Sequence, residues 1–240
     1  PVLTNLKFRK GMIMSRVFQG QKYTKYILMF GACAKEWVKF ASSLCSIRYT
    51  VMVYDACFTR ELFLSVASTP DEQTVGLRDK IYTTDIEYML EEGSRYDLVL
   101  IYDDFSQCGN YARYESLLDY GYICCSADVY SVLKMNQLCD TYARDPHFPF
   151  TFVFDGPKEE AREWQVLEHW KYLTTRRRKA DGQMFIPRCE SDHNSYLQLE
   201  FGRLCYGELS RPLQDLLYDV ETRIAGDLPV VIKPEPILGV

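Results

Sequence analysis

The run Tyr96-Asp97-Leu98-Val99-Leu100-Ile101-Tyr102 closes on Asp103-Asp104, and no other stretch constrains the fold of this chain as tightly. A short, nearly continuous apolar run bounded by acids reads as a strand buried on both faces, as in a parallel sheet. Ligands of open α/β sheets bind beyond the carboxyl ends of the strands, so the two acids mark a candidate site edge. A strand followed by an Asp-capped turn gives the same pattern with no chemistry attached.

The rest of the chain alternates between the two periods. Lys25 to Phe30 reads as a first strand running into Gly31-Ala32, and Ala34 to Leu44 has helical apolar spacing at Trp37, Val38, Ala41 and Leu44. Tyr49 to Val53 is a second strand closing on Tyr54-Asp55, Thr59 to Val66 a helix, Lys80 to Thr83 a strand, and Asp85 to Glu92 a helix with Asp85 at its start. After the 96–102 strand come a helix over 111–119, a strand over 121–127, a helix over 129–142 and a strand over 150–154. Glu163 to Leu167 reads as a seventh strand, 174–194 as a polar loop, Leu213 to Ile224 as a helix and Pro229 to Lys233 as a last strand. Strands alternating with helices predict an α/β fold with a mostly parallel central sheet and helices on both faces.

The length of 240 residues suits one domain: an N-terminal segment over 1–24, a core over 25–170 and an extension over 171–240. A net charge of -5 excludes a globally basic nucleic-acid coat, so any RNA contact has to come from local patches such as Arg176-Arg177-Arg178-Lys179, a run that equally suits a solvated loop. The nine cysteines include no Cys-x-x-Cys pair, and the adjacent Cys124 and Cys125 point to opposite faces of a strand. Buried free thiols are expected, and no structural metal. No apolar stretch is long enough to span a bilayer, no signal peptide opens the chain, and Pro1 in place of Met suggests a trimmed chain or a mature product of a longer one.

The turn after the first strand has Gly31 and Ala32, small residues that let backbone approach a ligand. It lacks both the Gly-x-Gly-x-x-Gly of a dinucleotide fold and the Gly-Lys-Ser/Thr of a phosphate loop. Asp55 at the end of the second strand is placed to accept from a ribose diol, and an acid after the 96–102 strand favours S-adenosylmethionine over NAD.

Several segments, in order, resemble the 2′-O-methyltransferase subunit of nidovirus replicase polyproteins, known from coronaviruses. They are Lys10-Gly11-Met12-Ile13-Met14 with Lys22-Tyr23-Thr24, Phe30-Gly31-Ala32, Val51-Met52-Val53-Tyr54-Asp55, Tyr96 to Asp103, Phe152-Val153 to Val166, and the tail from Leu213. The resemblance implies a Rossmann-like methyltransferase fold using S-adenosylmethionine to methylate the ribose of a viral RNA cap. It implies a Lys-Asp-Lys-Glu tetrad, carried here by Lys22, Asp103 and Glu163, with Asp104 and Glu160 as rivals. Gly31, Ala32, Asp55 and Asp104 would line the cofactor, and Lys7, Lys10 and Arg177 would touch RNA. Ser126 stands where the second lysine is expected, with Lys134 eight residues on. A lysine tuned by nearby cations would take the 2′-hydroxyl proton. The implied setting is a replication complex in the host cytoplasm, with capped RNA and another replicase subunit as partners and no membrane insertion. Two alternatives stay open: a catalytically inactive methyltransferase-fold subunit, and a nucleotide-sugar-dependent glycosyltransferase whose Asp103-Asp104 holds a divalent metal.

Overall fold

The computed structural model describes residues 23–31, 33–77, 80–104, 106, 108–142, 148–156, 181–200 and 206–225. In chain order the elements are β1 (Lys25–Phe30), α1 (Ala34–Cys45), β2 (Val51–Asp55), α2 (Glu61–Leu64), β3 (Thr74–Leu77), β4 (Lys80–Thr83) and α3 (Ile86–Glu92). They continue with β5 (Leu98–Asp103), α4 (Cys108–Tyr114), β6 (Tyr120–Ser126), α5 (Val129–Tyr142), β7 (Phe150–Asp155), β8 (Gly182–Ile186), α6 (Glu190–Glu200) and α7 (Arg211–Ala225). The strands form one eight-stranded sheet in the order β3-β4-β2-β5-β1-β6-β7-β8. Every neighbouring pair is parallel except β3 with β4.

The chain steps from β1 to one side through α1 and β2, then returns past β1 through β5 to β6. Parallel crossovers are right-handed, so steps in opposite directions place their helices on opposite faces. Accordingly α1 packs on one face, with Trp37, Val38 and Phe40 against Ile27, Met29, Val53 and Leu100. Leu213, Leu216 and Leu217 of α7 share that face. The other face carries Met89 of α3, Tyr111 and Tyr114 of α4, and Val132 and Met135 of α5, against Leu28, Phe30, Tyr54 and Ile101. Successive strand residues serve alternate faces, and both faces are covered, which is why the strands read as unbroken apolar runs. Cys124 and Cys125 illustrate the alternation: both are buried, one in each layer.

Local signals hold where the chemistry is local. Asp85 caps α3 by accepting from the backbone N–H groups of Glu87 and Tyr88 at 2.9 and 3.3 Å, the arrangement its position implies. The stretch 174–194, read as loop, instead contains β8 and the start of α6. β8 borders the described sheet on one side only, leaving Gln183 exposed and Met184 and Phe185 half-buried, so it lacks a buried strand's signature. β3 has no counterpart in the sequence reading either; a four-residue edge strand containing Gly76 carries little pattern. The strands expected at 163–167 and 229–233 lie outside the described residues.

Candidate functional site

Gly31 turns the chain from β1 into α1 with φ +112°, in the left-handed region open to glycine. A Cβ there would stand 2.0 Å from the carbonyl oxygen of Cys124 on β6, so close approach of two backbones also demands glycine. The turn is tight. Gly31 N–H donates to Asp103 O at 2.8 Å, and Ala34 N–H donates to Gly31 O at 2.9 Å. Phosphate cradles are built from free backbone N–H groups at such a strand-to-helix turn; here two of them already serve carbonyls of the chain itself. Lys35 lies in the first turn of α1, and its Nζ is 2.8 Å from Glu61 Oε2.

Asp55 is 2 % exposed. Its Oδ1 accepts from Cys57 N–H at 3.1 Å and its Oδ2 from Phe63 N–H at 2.8 Å. Burial pushes its carboxyl above the ordinary aspartate range, and these N–H donors pull it partly back. β5 lies between β2 and β1, and Asp55 pairs in register with Tyr102 while Asp103 pairs with Phe30. In sheets of the order 3-2-1-4-5-6 the acid ending the second strand is one strand from the first turn and meets the ribose there. Here a whole strand intervenes, about 10 Å from β2 to β1 at the usual spacing.

Asp103 is fully buried and faces the side opposite α1, where its Oδ2 accepts from the hydroxyl of Tyr114 on α4. Burial, and then the Asp103 charge, raise the Tyr114 phenol well above its ordinary value. Asp104 is half-buried and accepts from Ser106 N–H at 2.9 Å. Asp55 and Asp103 therefore point to opposite faces of the sheet. Ser126 pairs in register with Asp155, and Lys134 is exposed on α5. Lys7, Lys10, Lys22, Ala32, Glu160, Glu163 and Arg177 lie outside the described residues. Among the described residues no group of three or more His, Cys, Asp or Glu side chains is placed to hold a metal ion.

A cleft of about 650 Å³ opens at the carboxyl ends of β7 and β8, on the α1 side. One wall is the first half of α1, with Cys33, Lys35, Trp37 and Phe40; the other is Asp155, Pro187 and Arg188. Its size is that of a small-molecule site, about 300–1,000 Å³. Arg188 closes on Asp155 in a forked pair, Nε at 3.0 Å and Nη2 at 2.6 Å from Oδ2, the geometry that favours Arg over Lys. Desolvation pushes the Cys33 thiol up to about 12, so it is no nucleophile at neutral pH. Carboxylates also line the cleft, Glu36, Glu190 and Asp192 beside Asp155, against the cations Lys35 and Arg188. Both oxygens of Asp192 are occupied by Ser210, at 2.6 Å each. Neither Lys35 nor Arg188 is among the residues the sequence singles out. A lysine in the first turn after a glycine turn is a usable signal for the first; Arg188 sits in a stretch that reads as loop and gives none.

No family model and no curated protein matches the sequence. Solved structures do. A ParA family ATPase from Chlorobium tepidum superposes with a TM-score of 0.58 at 9 % identity, covering 85 % of this chain and 99 % of its own. The ATP complex of a McdA variant from Cyanothece gives 0.56 at 14 %, covering 88 % and 100 %. MinD of the Aquifex aeolicus MinC:MinD cell division complex gives 0.55 at 14 %, covering 86 % and 98 %.

These likenesses overturn the nidovirus resemblance and what hung on it. Cap methylation, S-adenosylmethionine, capped RNA, a replicase partner and a host replication complex were all implied by a methyltransferase fold, and the matching folds are those of ParA/MinD-type P-loop ATPases. The inactive-methyltransferase alternative falls for the same reason. The glycosyltransferase alternative also loses its footing, because Asp103 is buried against Tyr114 rather than open beside Asp104. No described helix is long and apolar enough to cross a membrane. The fold is thus α/β, mostly parallel, with helices on both faces, and it is the fold shared with these ParA-, McdA- and MinD-type structures rather than that of a methyltransferase.

Proposed function

We propose that this chain is a nucleotide-binding domain that holds its ligand in the cleft between α1 and the ends of β7 and β8 and does not hydrolyse it. The observation that carries the reading is the position of Lys35. It stands in the first turn of α1, directly after the Gly31 turn, and lines a cleft of about 650 Å³. A lysine there meets phosphate with a point charge, helped by the positive end of a twelve-residue helix. Trp37, Phe40 and Pro187 supply apolar wall, and Arg188 a second cation. One of the similar structures is itself an ATP complex.

The chemistry of hydrolysis does not fit. A phosphate loop ends in Gly-Lys-Ser/Thr, with the hydroxyl on Mg²⁺ and free N–H groups around the phosphates. This chain has Ala34-Lys35-Glu36, and the N–H groups of Gly31 and Ala34 are already bonded, to the carbonyls of Asp103 and Gly31. A carboxylate in place of the hydroxyl adds negative charge where phosphate oxygens would come. Binding without turnover follows.

Calorimetric titration with ATP and ADP, with and without Mg²⁺, tests this together with a phosphate-release assay. The expected result is saturable binding, weakened about tenfold in Lys35→Ala by loss of one charge-assisted contact, and no release above the blank. Absence of binding, or turnover at ordinary ATPase rates, would overturn it.

A further inference from the structure

We propose, on the footing of that reading, that Glu61 is a built-in competitor for the ligand's phosphate: its carboxylate occupies Lys35 until an anion displaces it. Glu61 Oε2 lies 2.8 Å from Lys35 Nζ, where a phosphate oxygen would sit. Both groups reach solvent, the lysine 31 % and the glutamate 58 % exposed, so the exchange needs no unfolding.

The placement of Glu61 is imposed by the fold. Residue 60, just before it, has φ 55°, a left-handed conformation that an arginine adopts only under constraint. The constraint is visible on both sides. Asp55 accepts from Cys57 N–H and Phe63 N–H, which clamps the chain from 57 to 63 onto the end of β2. The Arg60 guanidinium donates to Glu72 O at 2.8 Å and lies over the Phe63 ring, 5.5 Å from its centroid. Leu62 and Phe63 are fully buried under α1. A buried acid, a strained arginine and two core side chains thus hold the four-residue α2 so that Glu61 meets Lys35. Strain of this kind persists only where surrounding structure over-determines it. The carboxylate is a phosphate mimic in charge, and its release on anion binding leaves Lys35 with one partner throughout.

An exposed ion pair is worth at most about 1 kcal/mol, so removing the competitor should tighten anion binding by about two- to fivefold. The test titrates the full chain with pyrophosphate and with ATP at low salt, as wild type, Glu61→Gln, Lys35→Ala and the double variant. Tighter binding to Glu61→Gln, with the gain shrinking as salt rises and absent in the Lys35→Ala background, is the expected result. If wild type binds ATP and Glu61→Gln binds no better, the competitor role is wrong while the nucleotide site stands. If the gain persists without Lys35, the effect is general charge and the proposal fails. If none of the four proteins binds either anion, both the site and the competitor are rejected.

Discussion

Tyr114 on α4 donates its hydroxyl hydrogen to Asp103 at the end of β5, and both side chains are fully buried on the face of the sheet opposite α1. A carboxylate that closes an apolar strand is here part of the core. Its phenolic partner is wedged between Tyr54 and Tyr111, whose rings meet it edge-on at centroid distances of 6.1 and 5.6 Å.

Tyr114→Phe should therefore keep the packing and withdraw one donor from a buried charge. A loss of about 1–3 kcal/mol is expected, read as a lowered urea midpoint with an unchanged m-value. Asp103→Asn retains an acceptor for Tyr114 and should cost less than Tyr114→Phe. An equal or larger loss in Asp103→Asn would mean that the charge, rather than the acceptor, matters there.

The second expectation is a pH dependence of stability. Burial raises the folded-state pKa of Asp55 above its unfolded value. The folded chain then binds more protons than the unfolded one between those two values. Stability from this group is fully present below the ordinary aspartate pKa and falls as pH rises from there through the raised value. Urea midpoints collected across that acid window should decline with rising pH in wild type, and this component should vanish in Asp55→Asn.

Gly31→Ala combines a left-handed backbone with a Cβ 2.0 Å from the Cys124 carbonyl oxygen. Strain and overpacking cost about 1–3 kcal/mol each, so a loss on the order of 3 kcal/mol or more is expected in chemical unfolding. Gly76→Ala, whose Cβ would meet nothing within 4 Å, should be nearly neutral by the same measurement.

Arg188→Ala removes the forked partner of Asp155 and leaves that acid facing the cleft. Nucleotide affinity should drop by more than in Arg188→Lys, which keeps the charge and loses the fork. Because Arg188 is largely exposed, global stability should shift by less than about 1 kcal/mol. Calorimetry of the three proteins with ATP, alongside their melting curves, checks both statements.

Tyr122 donates to Asp219 on α7 at 2.6 Å, and Arg223 closes the group by donating to Tyr120 Oη at 2.9 Å. Tyr122→Phe should cost about 1–2 kcal/mol, and a double-mutant cycle with Arg223→Ala should be non-additive, since both side chains contact Asp219.

The sequence by itself determined the layers. Runs such as 25–30, 96–102 and 150–154 read as strands covered on both sides, and the helical spacing over 34–44 and 213–224 supplied helices to cover them. Caps were legible because they act locally: Asp85 accepts from N–H groups two and three residues on, whereas Gly31 read as a turn from its neighbours but is also required by the distant Cys124 carbonyl. Strand order was not legible, because hydrophobic pattern says that a strand is buried and not what lies beside it. Insertion of β5 between β2 and β1 is a long-range outcome, and it separates Asp55 from the turn that the sequence pairs it with. Which face a strand-end acid serves depends on one step of register, so Asp103 and Asp55, partners in one site on the sequence reading, fall on opposite sides. The pairing of Lys35 with Glu61, and the meeting of α1 with Arg188 across the cleft, join residues 26 and about 150 positions apart. Only tertiary packing could bring them together, because each is an ordinary surface charge within its own stretch of chain.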